Sequence, residues 1–341
     1  MKSLPVIEES QVGTARRTAV QAGKAVGLPD DALERLAIVV TEACTNLVRH
    51  AVNGELLVDA RTASGKGGRG RIKASVTILA IDDGPGIPNV EAAMADGYTT
   101  VTEEPRGIGG GMGSMQRQAD RFDIYSGSHG TTVMATVGET PGPVSSSPYD
   151  VTGLIVPMPG FDAGGDAFAI RPGKHSTMVM LMDVLGHGPT AAEVASTGLK
   201  AFDVAGSKSL EDIERQVADA LSGSRGAAAL IVEIPHAAGK LRAMGLGNVR
   251  GSIHTSDGNQ YGIPSQPGIL GAATRRPRPT EHDWSDDAML ILSTDGLKSS
   301  PRVPEPRSLF FRESGIIAAT LYKLRRRGSD DAGIVVVRPH T

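Results

Sequence analysis

Glu42 and Asn46 lie four residues apart in a stretch of helical apolar spacing. An acid and an amide therefore share one helix face, opposite much of the apolar stripe. Further along, a strand-like run ends in Asp82-Asp83-Gly84-Pro85-Gly86-Ile87. A carboxylate at a strand end, followed by glycines, lets the backbone approach a ligand without side-chain obstruction. A third element, Arg106-Gly107-Ile108-Gly109-Gly110-Gly111-Met112-Gly113, leads into a helical stretch. A glycine-rich loop entering a helix N-terminus is a phosphate cradle, because its N–H groups and the helix dipole both favour anions. Singly, each element also has a bland reading: glycine loops are often only flexible, and an acid with an amide on a helix is commonly a wet surface.

A second set of acids stands at the edges of strand-like runs. Phe161-Asp162-Ala163-Gly164-Gly165-Asp166-Ala167-Phe168 comes first. The apolar run 178–182 ends in Asp183-Val184-Leu185-Gly186-His187-Gly188, and the run 288–292 ends in Ser293-Thr294-Asp295-Gly296. Ser329-Asp330-Asp331 precedes a last strand at 333–337. Strand-end acids that converge at one sheet edge repel one another unless a cation neutralises them. Oxygen ligands suit Mg²⁺ or Mn²⁺. Zinc fits poorly, since the single cysteine, Cys44, lies in the other half and no histidines pair at ligand spacing. Two such ions can activate a water for in-line attack on phosphorus.

These sets fall on either side of a break at 139–148, where three prolines, a glycine and three serines occur in ten residues. That is linker composition. The expected layout is a first domain at 1–138, a linker at 139–149 and a second domain at 150–341. The first should begin with two helices, the second starting near Pro29, with Leu33, Leu36, Val40, Cys44 and Leu47 on its apolar face. Strands follow at 56–61 and 71–82, a short helix at 114–120, and two strands at 122–126 and 131–137 around a Gly-Ser-His-Gly turn. Residues 64–70 read as a solvated basic hairpin tip. In the second domain, Leu210, Ile213, Val217 and Leu221 form a helical stripe that Ser209 can start. Arg325-Arg326-Arg327 reads as a solvated helix end that could also dock an acidic phosphoprotein.

The 341 residues suffice for two cores, and the net charge of −3 argues against a nucleic-acid binder. No apolar run reaches the roughly 20 residues of a membrane span, and the first residues lack a signal-peptide pattern. With one cysteine no intrachain disulfide forms, and Cys44 reads as a buried, inert thiol. All of this fits the cytoplasm.

In order, the first three elements resemble the GHKL ATPase superfamily, over nearly all of the first domain. The resemblance implies an α/β sandwich with a mixed sheet under helices. It implies ATP with Mg²⁺ as ligand: Asn46 on the Mg²⁺, Glu42 orienting the attacking hydroxyl or water, and Asp82 accepting the adenine amino group. Gly84 and Gly86 would let the chain pass the base, and Gly107, Gly109, Gly111 and Gly113 would wrap the phosphates. Arg49 could reach a phosphate or be solvated. Compact size and the ending Arg121-Phe122-Asp123-Ile124 resemble anti-sigma-factor serine kinases, especially RsbT-like switch kinases, which phosphorylate small STAS-domain proteins. Gly110 and Met112 depart from that pattern, standing where aliphatic residues are common.

The second set resembles SpoIIE-type phosphatases of the metal-dependent PPM family, over essentially all of the second domain. The resemblance implies an α-β-β-α sandwich with two Mn²⁺ or Mg²⁺ ions at one edge. Asp183 would bridge the ions as the catalytic centre, with a backbone carbonyl from the Gly186 region. Asp166, Asp295 and Asp330 would complete the shells. Asp331 is the weaker of the last pair, Asp162 reads as a turn residue, and His187 as a turn or water contact rather than a general acid. Where many such domains have Ala-Gly-His-Pro, this chain has Gly245-Leu246-Gly247-Asn248-Val249-Arg250, a variant that is similar to RsbX-type phosphatases. Asn248 could contact substrate or close a turn. Together the resemblances imply a kinase and a phosphatase opposed on one STAS-domain phosphoprotein, with a sigma factor or a second-messenger enzyme downstream. A second reading keeps only the phosphatase, with the first domain sensing ATP or holding a regulator.

Overall fold

The computed structural model describes residues 1–63, 73–95, 111–139, 147–205, 209–272, 276–299 and 306–340. The chain divides into two compact units, Met1–Gly142 and Pro143–Thr341. The basic hairpin tip, most of the linker, and Gly107 and Gly109 lie outside the described residues.

The first unit opens with a short strand that the sequence pattern did not reveal, β1 (Lys2–Pro5), ahead of α1 (Glu9–Ala25) and α2 (Asp30–His50). Pro29 sits one place before α2, with Asp30 and Asp31 in the first turn and Arg49 and His50 in the last. Those charges complement the helix dipole at both ends. Then come β2 (Glu55–Ala63), β3 (Lys73–Ile81), α3 (Val90–Met94), α4 (Gly111–Gln118), β4 (Arg121–Gly127) and β5 (Gly130–Gly138). The sheet order is β1-β2-β3-β5-β4. The sheet is not mixed as expected: every described pairing is antiparallel. The β4–β5 hairpin inserts β5 between β3 and β4, two strands that run the same way, so the one parallel pair that could form is separated. Leu36, Val40 and Cys44 of α2 are buried with Val76, Ile78, Ala135 and Val137 of the sheet, which anchors the helix that carries Glu42 and Asn46. Burial pushes the Cys44 thiol up to about 12, so it stays protonated.

The second unit holds β6 (Tyr149–Val156), β7 (Asp166–Pro172), β8 (Ser176–Val184), α5 (Pro189–Val204), α6 (Leu210–Ala220), β9 (Ala227–Pro235), β10 (Gly239–Leu246) and β11 (Arg250–His254). It continues with β12 (Gln260–Ile263), β13 (Thr280–Trp284), β14 (Met289–Ser293), α7 (Pro306–Phe310), α8 (Ser314–Arg325) and β15 (Ala332–Pro339). Two five-stranded antiparallel sheets form, ordered β13-β10-β9-β8-β7 and β12-β11-β14-β15-β6. Between them lies a core of β-branched and leucine side chains, including Val179, Leu181, Leu230, Val232, Leu290, Leu292, Val335 and Val337. The other face of β8 and β9 is covered by α5 and α6 through Phe202, Leu210, Ile213 and Val217. α8 lies against β15 and β6. The result is the expected α-β-β-α sandwich. Central strands buried on both faces read as continuous apolar runs, as 178–182 does. Among the described residues, no helix is long and apolar enough to cross a membrane.

Candidate functional site

The first unit places Glu42 and Asn46 beside Gly111 and builds a separate turn around Asp82, while the second brings Asp166, Asp183, Asp295, Asp330 and Asp331 to one edge. In the first, α2 presents Glu42 and Asn46, both half-buried, toward the start of α4. A methyl group on Gly111 would stand 2.7 Å from Glu42 Oε2 and 3.5 Å from Asn46 Oδ1. The first residue of α4 therefore abuts both side chains. The unsatisfied N–H groups at that helix start give a partial positive charge next to an acid and an amide, which suits a phosphate chain carrying a divalent cation. Gly113, two residues further into the helix, is buried.

Asp82 follows β3 and is buried. Its Oδ1 accepts the Gly84 N–H at 2.7 Å, closing a turn at the strand end. Gly86 has φ of +81°, and a side chain there would overlap the Gly127 carbonyl. The same loop is tied down by Ile87 N–H donating to Ser126 Oγ at 2.7 Å, with Ser126 Oγ 2.9 Å from Thr131 Oγ1. The β4–β5 hairpin thus fixes the Asp82 loop from below. Asp83 is exposed and accepts from Asn53 Nδ2 at 3.2 Å. Arg49 is exposed at the end of α2.

In the second unit the cross-strand register of β7 and β8 puts Asp166 opposite Asp183. Directly paired residues share a sheet face, so two acids stand side by side. Burial raises the Asp166 carboxyl well above its ordinary range, and the charges of Asp183, Asp331 and Asp330 raise it further. Burial also pushes Asp183 up to about 7, with Asp295, Asp330 and Asp331 adding to the rise. Four strand ends from both sheets therefore concentrate negative charge at one edge.

The glycines of Gly164-Gly165-Asp166 have separate steric reasons. A side chain on Gly164 would overlap the Asp331 carboxylate, and one on Gly165 would come within 2.9 Å of the Gly186 carbonyl oxygen. Asp331 is buried and holds this segment: Oδ1 accepts from Met158 N–H at 2.7 Å and Oδ2 from Gly165 N–H at 2.6 Å. Asp330 is exposed. The pair thus divides into one acid clamped by the backbone and one at the surface of the edge. Gly186 has φ of +92°, which turns the chain sharply after β8 and sets its carbonyl over Gly165. His187 is exposed with its ring edge-on to Phe161, centroids 4.8 Å apart, and Asp162 is exposed in the preceding turn.

Two residues gain roles that sequence reasoning did not assign. Thr294 is fully buried: its hydroxyl donates to Asp166 Oδ2 at 2.7 Å and accepts from Gly333 N–H at 2.8 Å. Asn248 donates from Nδ2 to Asp295 Oδ2 at 2.7 Å. The only advance signal for Thr294 was its place before Asp295 in the Ser-Thr-Asp-Gly run; hydrogen bonds to residues 128 and 39 positions away leave no mark in sequence.

The donor set is all oxygen and heavily anionic, which fits Mg²⁺ or Mn²⁺. Among the described residues, no three His, Cys, Asp or Glu side chains gather into a ready cage.

A helix-backed antiparallel sheet with an acid, an amide and a helix start at one site is an arrangement suited to a phosphate-bearing ligand. A double antiparallel sandwich with clustered strand-end aspartates is an arrangement suited to divalent cations. Family comparison agrees: the histidine kinase-like ATPase domain matches residues 6–137, and the stage II sporulation protein E (SpoIIE) domain matches residues 173–339. The serine/threonine-protein kinase RsbT of Bacillus subtilis is 27% identical over 131 residues, covering 38% of this chain and 90% of the relative. An anti-sigma F factor of Caldanaerobacter subterraneus is 33% identical over 130 residues, covering 37% of this chain and 84% of that protein. Over 145 residues the phosphoserine phosphatase RsbX of Bacillus subtilis is 26% identical, covering 42% of this chain and 70% of the relative. A solved chain described as part of the bacterial stressosome superposes with a TM-score of 0.50 at 21% identity, over 56% of this chain and 99% of that one, a likeness of fold. The first unit thus belongs to the histidine kinase-like ATPase family, and the second carries a region that matches the SpoIIE domain. The chain is an enzyme that joins a kinase-type domain to a phosphatase-type domain.

Proposed function

We propose that this chain is a bifunctional partner-switching regulator. Its first unit phosphorylates a serine or threonine of a STAS-domain protein from ATP, and its second removes that phosphate. The observation that carries the reading is the double convergence: Glu42, Asn46 and the start of α4 in one unit, and the repelling aspartates Asp166, Asp183, Asp295, Asp330 and Asp331 in the other.

In the first unit Asn46 holds the Mg²⁺ that accompanies ATP, and the start of α4 with its preceding glycines receives the phosphates. Asp82 accepts the adenine amino group. Glu42 orients the partner's hydroxyl for in-line attack on the γ-phosphorus, and its carboxylate takes up the hydroxyl proton as the new ester forms and ADP leaves. In the second unit Asp183, the Gly186 carbonyl, Asp166, Asp295 and Asp330 hold two Mg²⁺ or Mn²⁺ ions. When bound, those ions supply charge neutralisation and a nucleophilic water at neutral pH. Thr294 keeps Asp166 in one orientation, and Asp331 keeps the Gly164-Gly165 turn against the site. The first activity draws on cytoplasmic ATP, both act on the STAS partner, and the partner's phosphorylation state would set a sigma factor or a signalling enzyme downstream.

The test separates this from a phosphatase with an ATP-sensing module. Titrating ATP calorimetrically and following γ-phosphate transfer to STAS proteins of the same genome gives the answer. Binding with transfer that fails in Glu42→Ala supports a kinase. Binding without transfer makes the first unit a regulatory module.

A further inference from the structure

We propose that Asn248 is a positioning residue for Asp295, holding one carboxylate oxygen so that the other faces the metal edge. This rests on the phosphatase reading of the second unit and adds a residue to it.

The backbone already makes the pairing. β11 and β14 are antiparallel with Arg250 opposite Ser293. Extending that register two residues past the strand ends places 248 opposite 295. The side chain completes it: Asn248 Nδ2 lies 2.7 Å from Asp295 Oδ2. A carboxylate only accepts, so the amide must turn its NH₂ toward Asp295.

The segment that presents this amide is fixed from behind. Residues 247–249 cross from β10 in one sheet to β11 in the other. Gly247 N–H donates to the Gln266 carbonyl at 2.9 Å, and the Val249 carbonyl accepts from Ser265 Oγ at 2.8 Å. Val249 is buried. Gly247 has φ of +87°, and a side chain there would strike Ala228. An asparagine that merely closed this crossing would bond to backbone within it. This one reaches a side chain 47 residues away.

Arg250 holds the same turn from its other side. Its Nη2 donates to the Thr294 carbonyl at 3.0 Å and the Leu297 carbonyl at 2.5 Å. These bracket Asp295, and the guanidinium lies within electrostatic reach of that carboxylate. Gly296 is pressed against the Asp331 backbone, where any side chain would overlap a carbonyl. The Asp295 backbone is thus clamped by Arg250 and Gly296, and its carboxylate still has a free torsion. Asn248 removes that freedom. Groups that orient metal ligands typically contribute 10–100-fold in metal affinity or activity. Asn248 is exposed, and an exposed bond belongs at the lower end of that range.

The experiment is a double-mutant cycle on Mn²⁺ binding to the full chain without substrate, read by calorimetry. The proteins are the unchanged chain, Asn248→Ala, Asp295→Asn, and the double variant. The expected result is an affinity loss of about 10-fold in Asn248→Ala, with little change in the metal-free melting midpoint. Asp295→Asn loses more, and the double variant binds as weakly as Asp295→Asn alone, because Asn248 acts through Asp295. Unchanged affinity in Asn248→Ala, or losses that simply add, overturns the proposal while leaving the phosphatase reading in place. Failure of the unchanged chain to bind Mn²⁺, or binding that survives Asp183→Asn and Asp295→Asn together, overturns the metal site and this proposal with it.

Discussion

Asp166 and Asp183 stand directly opposite each other at the paired ends of β7 and β8, one buried and the other half-buried. Like charges across a strand pair are destabilising, and the fold compensates only in part, through the Thr294 hydroxyl on Asp166. Without a cation the second unit therefore stores electrostatic strain at its working edge.

That strain has a pH signature. In the metal-free protein Asp183 keeps its proton up to about pH 7, whereas the unfolded chain releases it near 3.8. The folded state binds more protons across that window, so this contribution to stability is complete below about pH 4 and is lost as pH rises to 7. His254 works against it: burial lowers its imidazole to about 4, which adds stability as pH rises. The comparison that isolates Asp183 is the melting midpoint of the unchanged chain minus that of Asp183→Asn, in a chelator, from pH 4 to 8. Asp183→Asn should gain relative stability as pH rises, and Mn²⁺ should stabilise only the unchanged chain. A pH-independent difference would contradict the coupling.

Thr294→Val keeps the side-chain shape and removes the hydroxyl that joins Asp166 to the Gly333 N–H. A buried N–H left without a partner costs about 1–3 kcal/mol. Chemical denaturation should show a loss in that range, accompanied by weaker Mn²⁺ binding. A loss below about 0.5 kcal/mol, the range of neutral surface changes, would mean the threonine is not holding the site.

Gly86→Ala places a side chain at φ of +81° against the Gly127 carbonyl. Strain at such a position costs about 1–3 kcal/mol, and the loop carrying Asp82 must shift. ATP affinity should fall at least several-fold, while Mn²⁺-dependent hydrolysis of a phosphoserine partner is kept. Unchanged ATP binding would remove this loop from the nucleotide site.

Asp82→Ala should weaken ATP binding and reduce the preference for ATP over GTP, because the adenine amino group loses its acceptor. The Gly84 N–H at 2.7 Å also loses its partner, so folding of the variant is checked by its melting curve. Retained discrimination with intact folding would assign base recognition elsewhere.

Much of this was legible in sequence because both sites are built on local patterns. Asp183 ends an apolar run, and a strand buried on both faces must look that way. Glu42 and Asn46 are set by helical spacing. The glycines of Gly164-Gly165-Asp166 announced a tight passage but not what passes: the Asp331 carboxylate and the Gly186 carbonyl both arrive from later in the chain. β1 was missed because four residues with little burial carry no alternation. The antiparallel sheet order was missed because pairing depends on where a hairpin inserts, not on any strand's own composition. Asn248 was ambiguous for the same reason as Thr294: its partner is set by tertiary register.

The most direct test of the whole account follows one STAS partner by intact mass with the full chain, Mg-ATP and Mn²⁺. The account predicts that Asp183→Asn protein drives the partner to a stable gain of one phosphate, that Asn46→Ala protein strips a pre-phosphorylated partner, and that the unchanged chain does both. A pre-phosphorylated partner that keeps its phosphate with Mn²⁺ and unchanged chain, or gains none with Asp183→Asn protein that binds ATP, would contradict it.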